Sequence, residues 1–221
     1  MPTRRQLSYA FALALCGAAL IAAETAELRP WVYLFKPLAT ILVLAMAATA
    51  APLPSNRYRL LITGGLVWSL AGDVLLMWPA SLFAAGLGCF LVAHFCYIGA
   101  FATHGAGSSS RFVTLIPFAL IAGTMLSLLW PGLGALRIPV AVYVGTIATM
   151  AWQAFARALA KRNDAAWRGA IGALFFLTSD GALAINKFRA PIGDRFTTTV
   201  IILGTYLVAQ WMIGSTVGDD A

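Results

Sequence analysis

Two aspartates lie deep inside apolar stretches of the sequence, Asp73 in the run 68–77 and Asp180 in the run 175–184. Each acid follows a small residue and has a leucine three positions further on. A charged side chain near the centre of a bilayer costs at least about 2.5–3.5 kcal/mol, so acids in such segments usually serve a function. Two carboxyl groups of which only one is protonated can act as general acid and general base. We therefore treat Asp73 and Asp180 as the candidate catalytic pair.

Seven other polar residues in or beside apolar stretches could support the two acids. His94 and Tyr97 are three residues apart and share one face of a predicted helix, although a single histidine on an apolar face is often only structural. Lys36 has a similar alternative explanation, because a lysine in a membrane helix can extend its side chain to the interface. The supporting candidates are Lys36, His94, Tyr97, Asn186, Lys187, Tyr206 and Gln210.

The composition indicates a protein that lies almost entirely within a membrane. Hydrophobic residues make up 61% of the 221 residues and charged residues only 10%, whereas about 25% of a soluble domain is charged. The net charge is +7, but the basic residues fall in short loops, which indicates topology and contact with anionic lipids rather than nucleic-acid binding. The three cysteines lie in apolar segments without zinc-site spacing, and we interpret them as small core residues.

The apolar stretches predict an all-α membrane protein, a single transmembrane domain over residues 1–221 that forms a bundle of eight helices. The first stretch also resembles a signal peptide, but we expect it to remain as the first span because the rest of the chain is itself multispan. Spans five and six hold little polar chemistry, so we expect them to serve as scaffold and acyl-chain wall. The predicted spans are about 7–23, 31–50, 58–78, 82–102, 112–130, 137–156, 167–186 and 196–216.

The distribution of basic residues predicts the orientation of the bundle. Most of them fall in segments on the same side as the N-terminus, including a basic loop predicted at 157–168. This excess predicts cytoplasmic termini, and we expect the protein to lie in a bacterial inner membrane.

The alternating direction of successive spans places four polar candidates together, whichever way the bundle is oriented. Lys36 is early in span two, Asp73 late in span three, Asp180 late in span seven and Asn186 at its end. All four therefore belong to one membrane half, and we expect them to converge on one pocket. The two acid stretches lie four spans apart and run in the same direction, which is compatible with a weak parallel four-plus-four repeat.

The polar positions and their surroundings resemble those of the YhhN family, the lysoplasmalogenase-like membrane proteins. The resemblance extends over spans two to eight, and its order and spacing are more specific than any single piece. The resembling pieces are Lys36–Pro37, 72–77, Phe83 with Gly86, His94 and Tyr97, 174–180, 186–188 and 206–210.

The resemblance implies eight membrane helices and hydrolysis of the vinyl ether bond of lysoplasmalogens. The products would be a fatty aldehyde and a glycerophospho-ethanolamine or -choline. It also implies that Asp73 and Asp180 are catalytic. The expected partners are a lysophospholipid substrate and the lipid bilayer, and we expect no cofactor and no metal.

Vinyl ether hydrolysis is chemistry that a pair of aspartates can perform. Protonation of the β-carbon gives an oxocarbenium ion, water adds to it, and the resulting hemiacetal collapses to an aldehyde and an alcohol. The reaction needs one protonated acid and one carboxylate that stabilises the cation and activates water, as in glycosidases. Lys187 lies two turns from Asp180 on one helix face, which favours Asp180 as the carboxylate and Asp73 as the acid.

We expect the substrate to lie in a pocket with a polar and an apolar end, with the acids between them. Lys36, Asn186 and Lys187 would meet the phosphate at the polar mouth. Aromatic side chains such as Phe90 and Phe175 would line the apolar end.

Three other functions stay open from the sequence. Asp73, His94 and Asp180 could ligate zinc in a metal-dependent lipid hydrolase, although zinc sites usually use more than one histidine. Buried acids near a basic residue also suit a proton-coupled transporter. The acids could instead be polar contacts that hold helices together. Sensitivity to a chelator would indicate the metal enzyme, and loss of stability alone in an Asp→Asn variant would indicate a structural role.

Overall fold

The computed structural model describes residues 4–50, 56–78, 82–102 and 110–218. Within these ranges, eight helical segments are long and apolar enough to cross a membrane, which confirms the predicted all-α membrane bundle. The eighth segment, Arg195–Ser215, contains one turn of π-helix at Val200–Gly204. The helices are α1 (Arg4–Thr25), α2 (Arg29–Ala48), α3 (Asn56–Leu76), α4 (Phe83–Ala102), α5 (Ser110–Leu129), α6 (Arg137–Lys161), α7 (Asp164–Phe188), α8 (Arg195–Thr199) and α9 (Thr205–Ser215).

Six helices form a closed ring. In order around it they are α2, α3, α4, α6, α7 and α9, and α9 packs back against α2. α1 packs mainly on α2 and α5 mainly on α6, so these two helices lie at the periphery. The four-plus-four repeat and the cytoplasmic location of the termini stay predictions.

α3 and α4 approach closely because glycines of α3 face aromatic rings of α4. A Cβ atom added at Gly65 would lie 2.3 Å from Cε1 of Tyr97, and one added at Gly72 would lie 2.6 Å from Cε2 of Phe90. Small residues let membrane helices come into close contact. The two glycines thus set the positions of both rings, and Asp73 follows directly after the second contact.

The prediction of a basic loop at 157–168 is wrong. α6 continues to Lys161 and α7 begins at Asp164, so only two residues connect them. Arg157 is buried within α6, and its guanidinium lies 4.9 Å from the centre of the Tyr58 ring. An aromatic ring on a neighbouring helix can accommodate a buried cation, and the charge pattern along the sequence does not reveal such a partner.

Candidate active site

The carboxyl group of Asp73 is buried at the meeting point of α2, α3 and α9. The hydroxyls of Thr40 and Tyr206 each donate a hydrogen bond of 2.6 Å to Oδ2 of Asp73. Nζ of Lys36 lies 3.7 Å from the other oxygen, Oδ1. Because a carboxylate accepts hydrogen bonds and does not donate them, this set of two hydroxyls and one ammonium suits an ionised Asp73.

A chain of hydrogen bonds behind Tyr206 fixes the direction of its hydroxyl. Tyr97 donates to Oε1 of Gln210 at 3.0 Å, and Nε2 of Gln210 donates to the Tyr206 hydroxyl at 2.9 Å. An amide nitrogen can only donate, so the Tyr206 hydrogen is directed to Asp73. The supporting residues Tyr97 and Gln210 therefore act on Asp73 through Tyr206.

The carboxyl group of Asp180 has a different set of partners, from α4 and α6. The Tyr143 hydroxyl donates a short hydrogen bond to Oδ2 of Asp180. Nε2 of His94 lies 3.0 Å from the same hydroxyl and 3.4 Å from Oδ2. The side chain of Asp180 is 16% exposed and that of Asp73 is 2% exposed, so Asp180 is the acid more open to a ligand.

The surroundings of His94 select one tautomer of its ring. The ring is fully buried, and its Nδ1 atom has no hydrogen-bond partner within the described part of the chain. The ring of Phe176 packs against it with 4.8 Å between centroids. Leaving a buried N–H donor unpaired costs about 1–3 kcal/mol, so the proton belongs on Nε2. His94 then donates toward Tyr143 and Asp180.

Both aspartates line one cavity of about 710 Å³. Its polar rim is built from the C-terminal ends of α1 and α7 and the first residues of α2 and α8. Of the residues predicted from the sequence, those that line this cavity are Lys36, Asp73, Asp180, Asn186, Lys187 and Tyr206. The remaining three do not line it: His94 contacts Asp180, Gln210 contacts Tyr206, and Tyr97 contacts Gln210.

A second, apolar cavity of about 610 Å³ adjoins the first, and Phe90 and Asp180 line both. Side chains of α4, α5, α6 and α7 form most of its wall. Phe90 lies where the sequence predicted it, but Phe175 does not line either of the two cavities and packs against the protein core instead. Leu174, Leu177 and Thr178 occupy the face of α7 that lines the apolar cavity, and Phe175 points about 100° away from Leu174 around the helix.

Sequence reasoning missed two donors of the site. Thr40 lies one helical turn after Lys36, so its position on the same face was available from spacing. Tyr143 had no such signal, because its neighbours in α6 are apolar. Span six does supply apolar wall residues, as expected, but Tyr143 also gives it a polar role at Asp180.

The zinc site considered from the sequence is not assembled. Among the residues that the structure describes, no three His, Cys, Asp or Glu side chains come close enough to share a metal ion. His94 is near Asp180, but Asp73 contacts the separate group of Lys36, Thr40 and Tyr206.

Comparison with known proteins gives related sequences of one family. The YhhN family model matches residues 31–217. Human lysoplasmalogenase TMEM86B is 36% identical over 162 residues, which cover 72% of this chain and 64% of the human protein. A lysoplasmalogenase of Mycobacterium tuberculosis is 32% identical over 190 residues, 80% of this chain and 69% of that protein. The uncharacterized membrane protein YhhN of Escherichia coli is 27% identical over 208 residues, 90% and 96% of the two chains. No solved structure matches this chain.

Proposed function

The chain belongs to the YhhN family, and from this premise we propose that it hydrolyses the vinyl ether bond of lysoplasmalogens within the membrane. Relatives named lysoplasmalogenase in human and in Mycobacterium tuberculosis support the reaction. The observation that carries the proposal is the position of Asp180 where a polar and an apolar cavity meet, with Asp73 in the wall of the polar one.

The shape of the two cavities suits a lipid with a single chain. The apolar cavity would hold the alkenyl tail, and the polar cavity would hold the glycerophosphate head group. The vinyl ether is the bond at the junction of tail and head, so in this arrangement it would lie beside Asp180 and Phe90. A lipid with two tails would leave its second chain in the polar cavity, so the lyso form fits better.

We assign Asp180 as the general acid and Asp73 as the carboxylate, which reverses the assignment drawn from the sequence. That assignment relied on the charge of Lys187 near Asp180. Nζ of Lys187 instead lies 5.1 Å from the centre of the Phe83 ring, and the lysine that contacts an aspartate is Lys36, beside Asp73. The cation and two hydroxyl donors stabilise negative charge on Asp73.

In the first step, Asp180 would protonate the β-carbon of the vinyl ether. Oδ2 of Asp180 accepts from Tyr143, so we place the transferred proton on Oδ1. The carboxylate that remains would be stabilised by Tyr143 and by Nε2–H of His94. These donors are aimed at charge that develops during the reaction, which is the arrangement that lowers a barrier most.

The later steps return both acids to their starting states. Asp73 would take a proton from water as the water oxygen bonds to the oxocarbenium carbon. In the collapse of the hemiacetal, Asp73 would give that proton to the departing glycerol oxygen, and Asp180 would take the hemiacetal hydroxyl proton. One water is consumed, and a fatty aldehyde and the glycerophospho-ethanolamine or -choline are released.

The proposed reaction is tested with two lipids that share a head group and a chain length. One carries the 1-alkenyl ether and the other the saturated 1-alkyl ether. We expect the purified protein to release aldehyde from the alkenyl lipid alone. In D₂O, the aldehyde should carry one deuterium on the carbon next to the carbonyl, because that carbon is the protonated one. Release of aldehyde without this deuterium would contradict protonation of the β-carbon.

A further inference from the structure

From the aspartates, the polar cavity extends toward the end of the bundle where α1 and α7 end and α2 and α8 begin. Its rim there is charged, and the proposed chemistry does not use these charges. Glu24 from the last turn of α1, Arg29 from the start of α2, Lys187 from the last turn of α7 and Arg195 from the start of α8 all line it. The cavity therefore joins the catalytic pair to charges of both signs at one end of the bundle.

The depth of the rim matches the size of a phospholipid head group. Arg29 precedes Lys36 by seven residues on α2, and Lys187 follows Asp180 by seven residues on α7. Seven residues of helix span about 10 Å, so both cations lie about 10 Å from the level of the acids. An extended glycerophosphoethanolamine group has about this length from the ether oxygen to the ammonium, so its phosphate would lie between the acids and the rim, and the long side chains of Arg29 and Lys187 would extend toward it.

Glu24 is held at the rim by Arg195. Nε of Arg195 donates to the backbone carbonyl of Glu24 at 3.0 Å, and its guanidinium lies 3.9 Å from the Glu24 carboxylate. The same guanidinium also binds Glu27. Glu27 is 70% exposed and Glu24 only 29%, and of these two acids Glu24 is the one in the cavity wall. Glu27 therefore offers a matched control for Glu24.

The cations Arg29 and Lys187 can take the phosphate. In the described ranges neither is paired with a carboxylate, whereas Lys36 is paired with Asp73. We therefore expect Arg29 to contact the phosphate in place of Lys36. Lys187 is still expected to contact the phosphate.

We propose that this rim is a head-group site selective for ethanolamine, in which Glu24 binds the primary ammonium beyond the phosphate. The inference rests on the proposed lysoplasmalogen hydrolysis. A primary ammonium has three N–H donors for a carboxylate, whereas a quaternary ammonium has none and is recognised by aromatic faces.

The aromatic residues of the cavity wall are engaged elsewhere. Lys187 lies over the Phe83 ring. Phe90 and Tyr206 pack edge to face with 5.9 Å between centroids, and Tyr206 is bound to Asp73. No other aromatic residue of the described chain lines this cavity, so no further ring is left there to form a cage for choline.

Two of the rim residues lie outside the segment that matches the family model, which begins at residue 31. Glu24 and Arg29 can therefore differ between family members without a change in the catalytic core. Head-group preference would then be a property of the individual chain.

The experiment compares two lysoplasmalogens with one alkenyl chain and either an ethanolamine or a choline head. The ratio of kcat/KM values from aldehyde release is measured for the wild type, Glu24→Gln and Glu27→Gln. We expect the wild type to prefer ethanolamine roughly tenfold, the selectivity that one hydrogen bond to a charged group provides. Glu24→Gln should bring the ratio close to one, and Glu27→Gln should keep the wild-type ratio.

Equal rates in the wild type, or a wild-type ratio in folded Glu24→Gln, would overturn the head-group site. If Glu24→Gln does not fold, the wild-type ratio alone decides. If no aldehyde forms from either lipid, the proposed function fails. The head-group site is then tested by the binding of the two saturated 1-alkyl lysophospholipids to the wild type. Tighter binding of the ethanolamine lipid supports the site, and equal binding overturns it.

Discussion

Nζ of Lys36 lies 3.7 Å from Oδ1 of Asp73, while Lys187 at the far end of the same cavity lies over the Phe83 ring. The two lysines are thereby placed for different tasks. In the proposed mechanism, Lys36 would stabilise the negative charge of Asp73, and Lys187 would bind the lipid phosphate.

Replacing Lys36 by methionine should therefore reduce turnover more than binding. The variant removes the cation that would stabilise the ionised form of Asp73 in the proposed mechanism, and loss of a general base typically lowers kcat by about 10²–10⁴-fold. We expect a saturated 1-alkyl analogue to bind with nearly wild-type affinity. Lys187→Met is the matched comparison and should show the opposite pattern, with weaker analogue binding and nearly unchanged kcat. The same pattern in both variants would contradict the division of tasks.

Tyr143→Phe should lower kcat and leave analogue binding unchanged. The hydrogen bond from this hydroxyl to Oδ2 should strengthen when Asp180 loses its proton, and a hydrogen bond to a charged group contributes about 1.5–3 kcal/mol, or roughly 10- to 100-fold in rate. Tyr33→Phe is the control, because Tyr33 stacks on Trp78 and lies apart from Asp180. An unchanged kcat in folded Tyr143→Phe would remove Tyr143 from the mechanism.

Nitrogen NMR can test the histidine tautomer directly. The sequence contains only two histidines, so a ¹⁵N-histidine-labelled sample gives two pairs of imidazole nitrogen signals, one pair for each ring. We expect the pair of signals lost in His94→Gln to show the proton on Nε2 and none on Nδ1. A proton on Nδ1 at neutral pH would contradict the proposed donation to Tyr143 and Asp180.

Ala122→Phe should shorten the lipid tail that the protein accepts. Ala122 lines the apolar cavity from α5, and a phenyl ring there would occupy part of its volume. We expect kcat/KM to fall for long alkenyl chains and to change little for short ones. Ala119→Phe, on an exposed part of the same helix, should leave the chain-length profile unchanged. If the two variants behave alike, the apolar cavity is not the tail site.

Much of the site followed from the sequence because helix direction is simple to predict. Asp73, Asp180 and Lys36 were placed in one membrane half by counting spans, and the structure brings them to one cavity. The partner of each charge was not predictable in the same way. Lys187 is close to Asp180 along the chain, but its ammonium contacts the Phe83 ring. Tyr143 contacts Asp180 only because α6 packs against α7. Such pairings depend on the rotation of each helix about its axis, which hydropathy does not determine.

The central claim is tested most directly by single-turnover aldehyde release from lysoplasmalogen, measured beside lipid binding, for wild type, Asp73→Asn and Asp180→Asn. Asparagine keeps the shape of the side chain and removes its acid–base chemistry. We predict that both variants fold, bind the saturated 1-alkyl analogue and release no aldehyde above background. Folded variants that release aldehyde at the wild-type rate would contradict catalysis by the two aspartates.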